Sequence, residues 1–245
     1  MRSAYVTPLV LVAHGSRDPR AARATRALVR AVAAARPGLD VRASYLDHTL
    51  PRPGQVLGAL EAAGHDRVTM VPLLLTAAYH GRVDVPEAVR SAGVRIPVAV
   101  ADVLSPVNDL LLAGLRRRLA VAGSGFDGVV LAAAGTRDAA ARHTVAEAAD
   151  ALGASLGVPA QVAYASAAAP TGAEAVEALR ARGARRIGVA SYFLAPGLLH
   201  DTVVASALSA GAVAVAAPLE GAPELAALVL RRADAARLSE LPAAA

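Results

Sequence analysis

Three polar residues stand at even intervals in the first half of the chain: His14, Asp47 and His80, each 33 residues from the next. Two imidazoles and a carboxylate suit borderline divalent metals such as Co²⁺, Fe²⁺, Ni²⁺ or Zn²⁺. A histidine titrating near neutral pH is also a competent proton acceptor. Even spacing by itself shows only repeating units of similar length, so the chemistry depends on where those units place the three side chains. His14 lies in Val12-Ala13-His14-Gly15-Ser16-Arg17-Asp18-Pro19, where an apolar run stops at a glycine able to turn sharply. Asp47 follows Tyr45-Leu46, and His80 follows Thr76-Ala77-Ala78-Tyr79. Taken singly, each has a plainer reading as a capping or solvated loop residue. His48 adjoins Asp47 and is within reach of the same crevice, but its plainer reading as a solvated loop residue is preferred. Arg17, Arg20, Arg52 and Arg82 flank these loops; their plainer reading is ordinary surface charge, and their functional one a carboxylate-binding rim.

The elements that must position these residues alternate along the chain. Apolar runs at 9–13, 41–46, 68–75 and 97–101 read as buried parallel strands. Segments 20–36, 55–63, 86–92 and 107–120 read as helices, several closed by glycine or opened by proline. The order then restarts, with strands at 129–133, 161–165, 187–194 and 213–216, a helix at 139–156, and further helices between. Ala13-His14-Gly15-Ser16-Arg17-Asp18 aligns with Ala133-Ala134-Gly135-Thr136-Arg137-Asp138, an offset of 120. Tyr45 aligns with Tyr164, and His80 with His200. The expectation is an α/β fold of two tandem similar domains, 1–122 and 123–245, each a parallel sheet flanked by helices, with a cleft between them. Side chains at strand carboxyl ends then face one crevice. The second half has Ala134 for His14 and Ser166 near the Asp47 position, so the chemistry is expected in the first half alone.

Composition narrows the function further. The 245 residues are 55% hydrophobic and 18% charged, with no Cys, so disorder, disulfides and thiolate chemistry are excluded. All 25 basic residues are Arg, and the net charge is +5. Without Lys no P-loop exists, and no glycine-rich dinucleotide fingerprint follows a strand. The arginines are dispersed and no RNA-binding aromatic signature accompanies them, so an acidic small molecule is preferred to nucleic acid. The uncharged stretch Thr202–Leu219 is interrupted by Ser206, Ser209, Gly211 and Pro218, and reads as a helix followed by a strand rather than a membrane span. The N-terminal apolar stretch is too short for a signal peptide, so a cytoplasmic location is expected.

The opening motif Leu11–Pro19, the segment His80-x-x-x-Asp84-Val85-Pro86 and the even His–carboxylate–His spacing resemble the sirohydrochlorin chelatases. These are class II, cofactor-independent chelatases, and this chain is similar to their long, two-repeat form. The resemblance implies insertion of Co²⁺ or Fe²⁺ into the tetrapyrrole sirohydrochlorin, in cobalamin or siroheme synthesis. It implies His14 and His80 as the catalytic, metal-binding pair, with Asp47 as third donor where many members have Glu. Ser16, Arg17, Arg52, Tyr79, Arg82 and His200 are the expected substrate contacts. The metal is then a substrate and no permanent cofactor is expected. The protein would act as a monomer or homodimer, without nucleic acid or membrane as partner. A non-catalytic tetrapyrrole or metal carrier using the same cleft is the alternative.

Overall fold

The computed structural model describes residues 7–76 and 84–239. In chain order the elements are β1 (Leu9–Ala13), α1 (Pro19–Ala35), β2 (Val41–Tyr45), α2 (Pro53–Ala62), β3 (Val68–Pro72), α3 (Val85–Arg90), β4 (Val98–Val100) and α4 (Asp109–Ala122). The second series is β5 (Gly128–Ala133), α5 (Ala139–Leu156), β6 (Ala160–Tyr164), α6 (Gly172–Ala181), β7 (Ile187–Ser191), α7 (Leu198–Ser209), β8 (Ala214–Val215) and α8 (Pro223–Ser239).

These elements form two four-stranded parallel sheets of identical topology, β2-β1-β3-β4 and β6-β5-β7-β8. The central strands are covered on both faces, which is why they read as unbroken apolar runs: Leu9 to Val12 and all of β5 are buried. Around the first sheet Val10, Val12, Met70, Leu57 and Leu60 interlock. Around the second, Val130, Val189, Ile187, Val176 and Leu179 do the same. Leucine and valine thus supply the core of a chain with 3% aromatics.

The helices start where local chemistry allows. Asp18 caps α1, its carboxylate accepting the Arg20 N–H at 2.8 Å, with Pro19 in the first turn. Asp138 caps α5 in the same way. α2 begins two residues earlier than the sequence predicts, at Pro53, because Gln55 Oε1 accepts the Arg52 N–H at 2.8 Å. β3 ends at Pro72, short of the predicted Leu75, although Leu73 N–H still reaches the Val12 carbonyl. The predicted strand 213–216 keeps two residues, and α3 stops at Arg90.

The compact units do not coincide with the expected division at residue 122. One comprises 1–104 with 221–245, the other 105–220. Helix α4, which follows the first repeat's last strand, packs on β7, β8 and α5. Helix α8, which ends the second repeat, packs on α1, β3 and β4. Each repeat therefore lends its last helix to the sheet of the other. Repeated arginines fasten the exchange. Arg118 on α4 donates to the Leu219 carbonyl at 2.8 Å, and Arg232 on α8 to that of Leu104 at 3.4 Å. Arg36 on α1 makes a two-pronged pair with Asp234 on α8, both contacts at 2.6 Å.

Candidate functional site

The carboxyl ends of β1 and β2 are locked together by main-chain bonds. Leu46 N–H donates to the Ala13 carbonyl at 3.0 Å, and Asp47 N–H to the His14 carbonyl at 2.7 Å. The approach is so close that it requires glycine at position 15. Gly15 has φ +95, and a β-carbon there would fall 1.7 Å from the Asp47 carbonyl oxygen. His14 and Asp47 are thus held on adjoining loops at the ligand-facing edge of the sheet, both exposed. The loops are cross-tied by Thr49, whose hydroxyl donates to the Ser16 carbonyl at 3.1 Å and accepts the Ser16 N–H at 3.4 Å. Thr49 carries no motif signal; only the pairing of β1 with β2 reveals it.

Asp47 stays ionised in this setting. The His48 backbone N–H, donating to Oδ1 at 2.7 Å, holds its carboxyl below the usual carboxylate range, and the charges of His48, Arg52 and His14 add to the effect. Arg52 Nη2 lies 3.6 Å from Oδ1 and His48 Nε2 lies 3.3 Å from Oδ2. Arg52 Nη1 is a buried donor with no acceptor. The site is an ionised carboxylate with imidazoles beside it, an arrangement that attracts a divalent cation.

The other expected residues divide. Ser16 is spent on structure, its hydroxyl accepting the Asp18 N–H at 3.0 Å. Arg17 is exposed on the same loop. Tyr79, His80 and Arg82 lie outside the described residues. Among the described residues no three His, Asp or Glu side chains gather round one point as a metal site. His200 sits at the start of α7 with its side chain only 11% exposed. Its Nε2 meets the hydroxyl of buried Ser191 at 3.0 Å, and its ring stands edge-on to Phe193. Ser191 already donates to the Ala216 carbonyl at 2.6 Å, so Nε2 is the donor in that pair. His200 is thus packed and hydrogen-bonded within the second unit. A cavity of about 370 Å³ lined by Thr7, Arg67, Thr69, Asp234 and Arg237 lies at the opposite end of the first sheet, where β3 begins.

The second unit repeats the scaffold without the two side chains. Gly135 has φ +91, and its added β-carbon would fall 1.9 Å from the Ser166 carbonyl oxygen. Ser166 N–H donates to the Ala134 carbonyl at 3.2 Å, and Thr136 Oγ1 accepts the Asp138 N–H as Ser16 does for Asp18. The backbone is that of the first unit, with alanine and serine in place of His14 and Asp47.

The duplication has a counterpart among known proteins: the CbiX family profile matches residues 8–121 and again 128–236. The chain belongs to the CbiX family. Its two CbiX matches divide the sequence near residue 122, while the compact units exchange their last helices across that division. Among solved CbiX-like folds, SirB from Bacillus subtilis with Fe³⁺ superposes with a TM-score of 0.81 at 20% identity, covering 94% of this chain and 95% of that one. The sirohydrochlorin chelatase SirB from Bacillus subtilis subspecies spizizenii in complex with cobalt gives 0.79 at 18% identity, covering 96% of each. A curated relative, the sirohydrochlorin cobaltochelatase of Methanococcoides burtonii, is 24% identical over 82 residues, which is 34% of this chain. The matched stretch spans 63% of that relative's length. Among the described residues no helix is long and apolar enough to cross a membrane.

Proposed function

We propose that this protein is a sirohydrochlorin chelatase, inserting Co²⁺ or Fe²⁺ into the tetrapyrrole at the carboxyl edge of the first sheet. The observation that carries the reading is the backbone lock that sets His14 beside an ionised Asp47, in the unit where the repeat keeps both residues. The CbiX matches over both halves and the names of the relatives supply the substrate class. The metal is consumed as substrate, and no resident cofactor enters the scheme.

Insertion exchanges the ion's water and protein ligands for four pyrrole nitrogens and releases two N–H protons. A divalent ion plus the neutral macrocycle core thus gives the metallated ring and two protons. In this reading His14 and His80 hold the incoming ion and accept those protons, imidazole being a suitable base near neutral pH. Asp47 supplies the negative charge that draws the ion to the edge. Arg17 and Arg52 meet the carboxylate arms of the ring. Tyr79 and Arg82 are further expected contacts of the substrate. The reaction belongs in the cytoplasm, with monomer or homodimer as the working form.

The test is a time course of the absorption spectrum when the protein, sirohydrochlorin and Co²⁺ or Fe²⁺ are mixed. Multiple turnovers per chain are expected. A spectrum that shifts once, in proportion to protein, would identify a carrier instead.

A further inference from the structure

Three of the positions at which the matched loops of the two repeats differ bear on the metal. His14 and Ala134 form the first pair, Asp47 and Ser166 the second, His48 and Ala167 the third. His48 has φ 57 and Ala167 has φ 62. This left-handed conformation costs a residue bearing a β-carbon roughly 1–2 kcal/mol, and both repeats retain it. Ala167 shows that the turn holds without an imidazole. The side chain of His48 therefore serves something other than the turn, in the same unit that keeps His14 and Asp47.

The turn folds the imidazole back onto its neighbour. Nε2 lies 3.3 Å from Asp47 Oδ2, and both side chains are open to solvent. The other carboxylate oxygen is already engaged by the His48 N–H at 2.7 Å and faces Arg52 at 3.6 Å. Oδ2 faces the ring itself, so an ion that enters there meets both donors. Two donors bound to one ion at about 2.1 Å stand about 3.0–3.4 Å apart at octahedral to tetrahedral angles, so this pair has a chelating separation.

We propose that Asp47 Oδ2 and His48 Nε2 form a two-donor landing site for the divalent transition metal. Water completes the coordination, and the ion passes from there to His14. The inference rests on the metal-insertion reading and adds to it a residue, His48, with a defined role. Carboxylate plus imidazole favours borderline ions such as Co²⁺ over Mg²⁺ or Ca²⁺. Arg52 beside Oδ1 offsets part of the carboxylate's charge, so the ion is held loosely, as a metal that must leave requires. His14 is near enough for its charge to act on Asp47, which places the next donor on the adjoining loop.

The test uses the full chain titrated with Co²⁺ alone, followed by its visible absorption, and insertion rates measured against Co²⁺ concentration. His48→Ala should fold, since alanine occupies the equivalent turn in the second repeat, and a circular dichroism melt checks this. It should weaken Co²⁺ binding on the order of tenfold, the scale on which metal sites respond to loss of a supporting group. The KM for Co²⁺ should rise by a similar factor, and Mg²⁺ should not compete in either protein. If His48→Ala binds Co²⁺ as tightly as the parent with an unchanged KM, the landing site is refuted and the insertion reading stands. If the parent metallates no sirohydrochlorin but loses Co²⁺ affinity on His48→Ala, the insertion reading fails and the landing site stands.

Discussion

Gly15→Ala concentrates the account in one atom. The added β-carbon would sit 1.7 Å from the Asp47 carbonyl oxygen, and the contact must open to about 3.4 Å before it is ordinary packing. The φ of +95 at this residue adds a left-handed penalty of about 1–2 kcal/mol. Parting the loops also breaks the Asp47-to-His14 main-chain bond, worth about 1 kcal/mol. Together these come to about 2–3 kcal/mol. At about 2–4 °C per kcal/mol for a chain of this size, Tm should fall by about 4–12 °C. Displacing Asp47 from His14 by 1 Å or more should lower the insertion rate about 100-fold. Gly135→Ala is the matched control, because its β-carbon would fall 1.9 Å from the Ser166 carbonyl oxygen at φ +91. Both variants should lose similar stability by thermal melt, yet only Gly15→Ala should lose catalysis when both are assayed well below their Tm. Equal loss of activity in the two, or a normal rate for Gly15→Ala, would refute the argument that the lock positions the chemistry.

Three further outcomes follow from other parts of the fold. Ser191→Ala leaves the His200 Nε2 donor and the Ala216 carbonyl without their buried partner, so denaturant unfolding should show a loss of about 1–3 kcal/mol. Arg36 holds the Asp234 carboxyl below its ordinary range by direct hydrogen bonds. Asp234 is depressed in the folded state, so the pair's contribution is full above the unfolded value of about 4 and is lost as pH falls through the folded value. Because both side chains are partly exposed, that contribution is about 0.5–1 kcal/mol. The stability gap between the parent and Asp234→Asn should therefore close on acidification below pH 4, and shrink in high salt. A fragment of residues 1–122 lacks α8, whose Leu225, Leu228 and Val229 are buried in the first unit. It should show no cooperative melt until a peptide spanning 221–239 is added, and independent folding would contradict the helix exchange.

Much of the fold was legible because a parallel sheet covered on both faces forces continuous apolar strands, and because the chain states its architecture twice. The 120-residue offset predicted the matching β1 and β5 turns, with the glycine of each at positive φ. The exchange of α4 and α8 was not legible. An apolar helix face specifies that a sheet is covered, and two copies of one sheet offer it equivalent beds. The third strand ends at Pro72, three residues before the apolar run does. For the site, the His14 and Asp47 types and the edge they occupy could be read directly. His200 could not be resolved in the same way, since its alignment with His80 says nothing of Ser191 and Phe193, which enclose the ring. His48 carried a signal in its pairing with Ala167, but its turn back onto Asp47 depends on a backbone angle that residue types do not reveal.

If the first unit alone performs the proposed insertion, the initial rate of Co²⁺ insertion into sirohydrochlorin by His14→Ala should collapse to the rate without protein, with the fold intact by circular dichroism. An undiminished rate from a folded His14→Ala protein would contradict it.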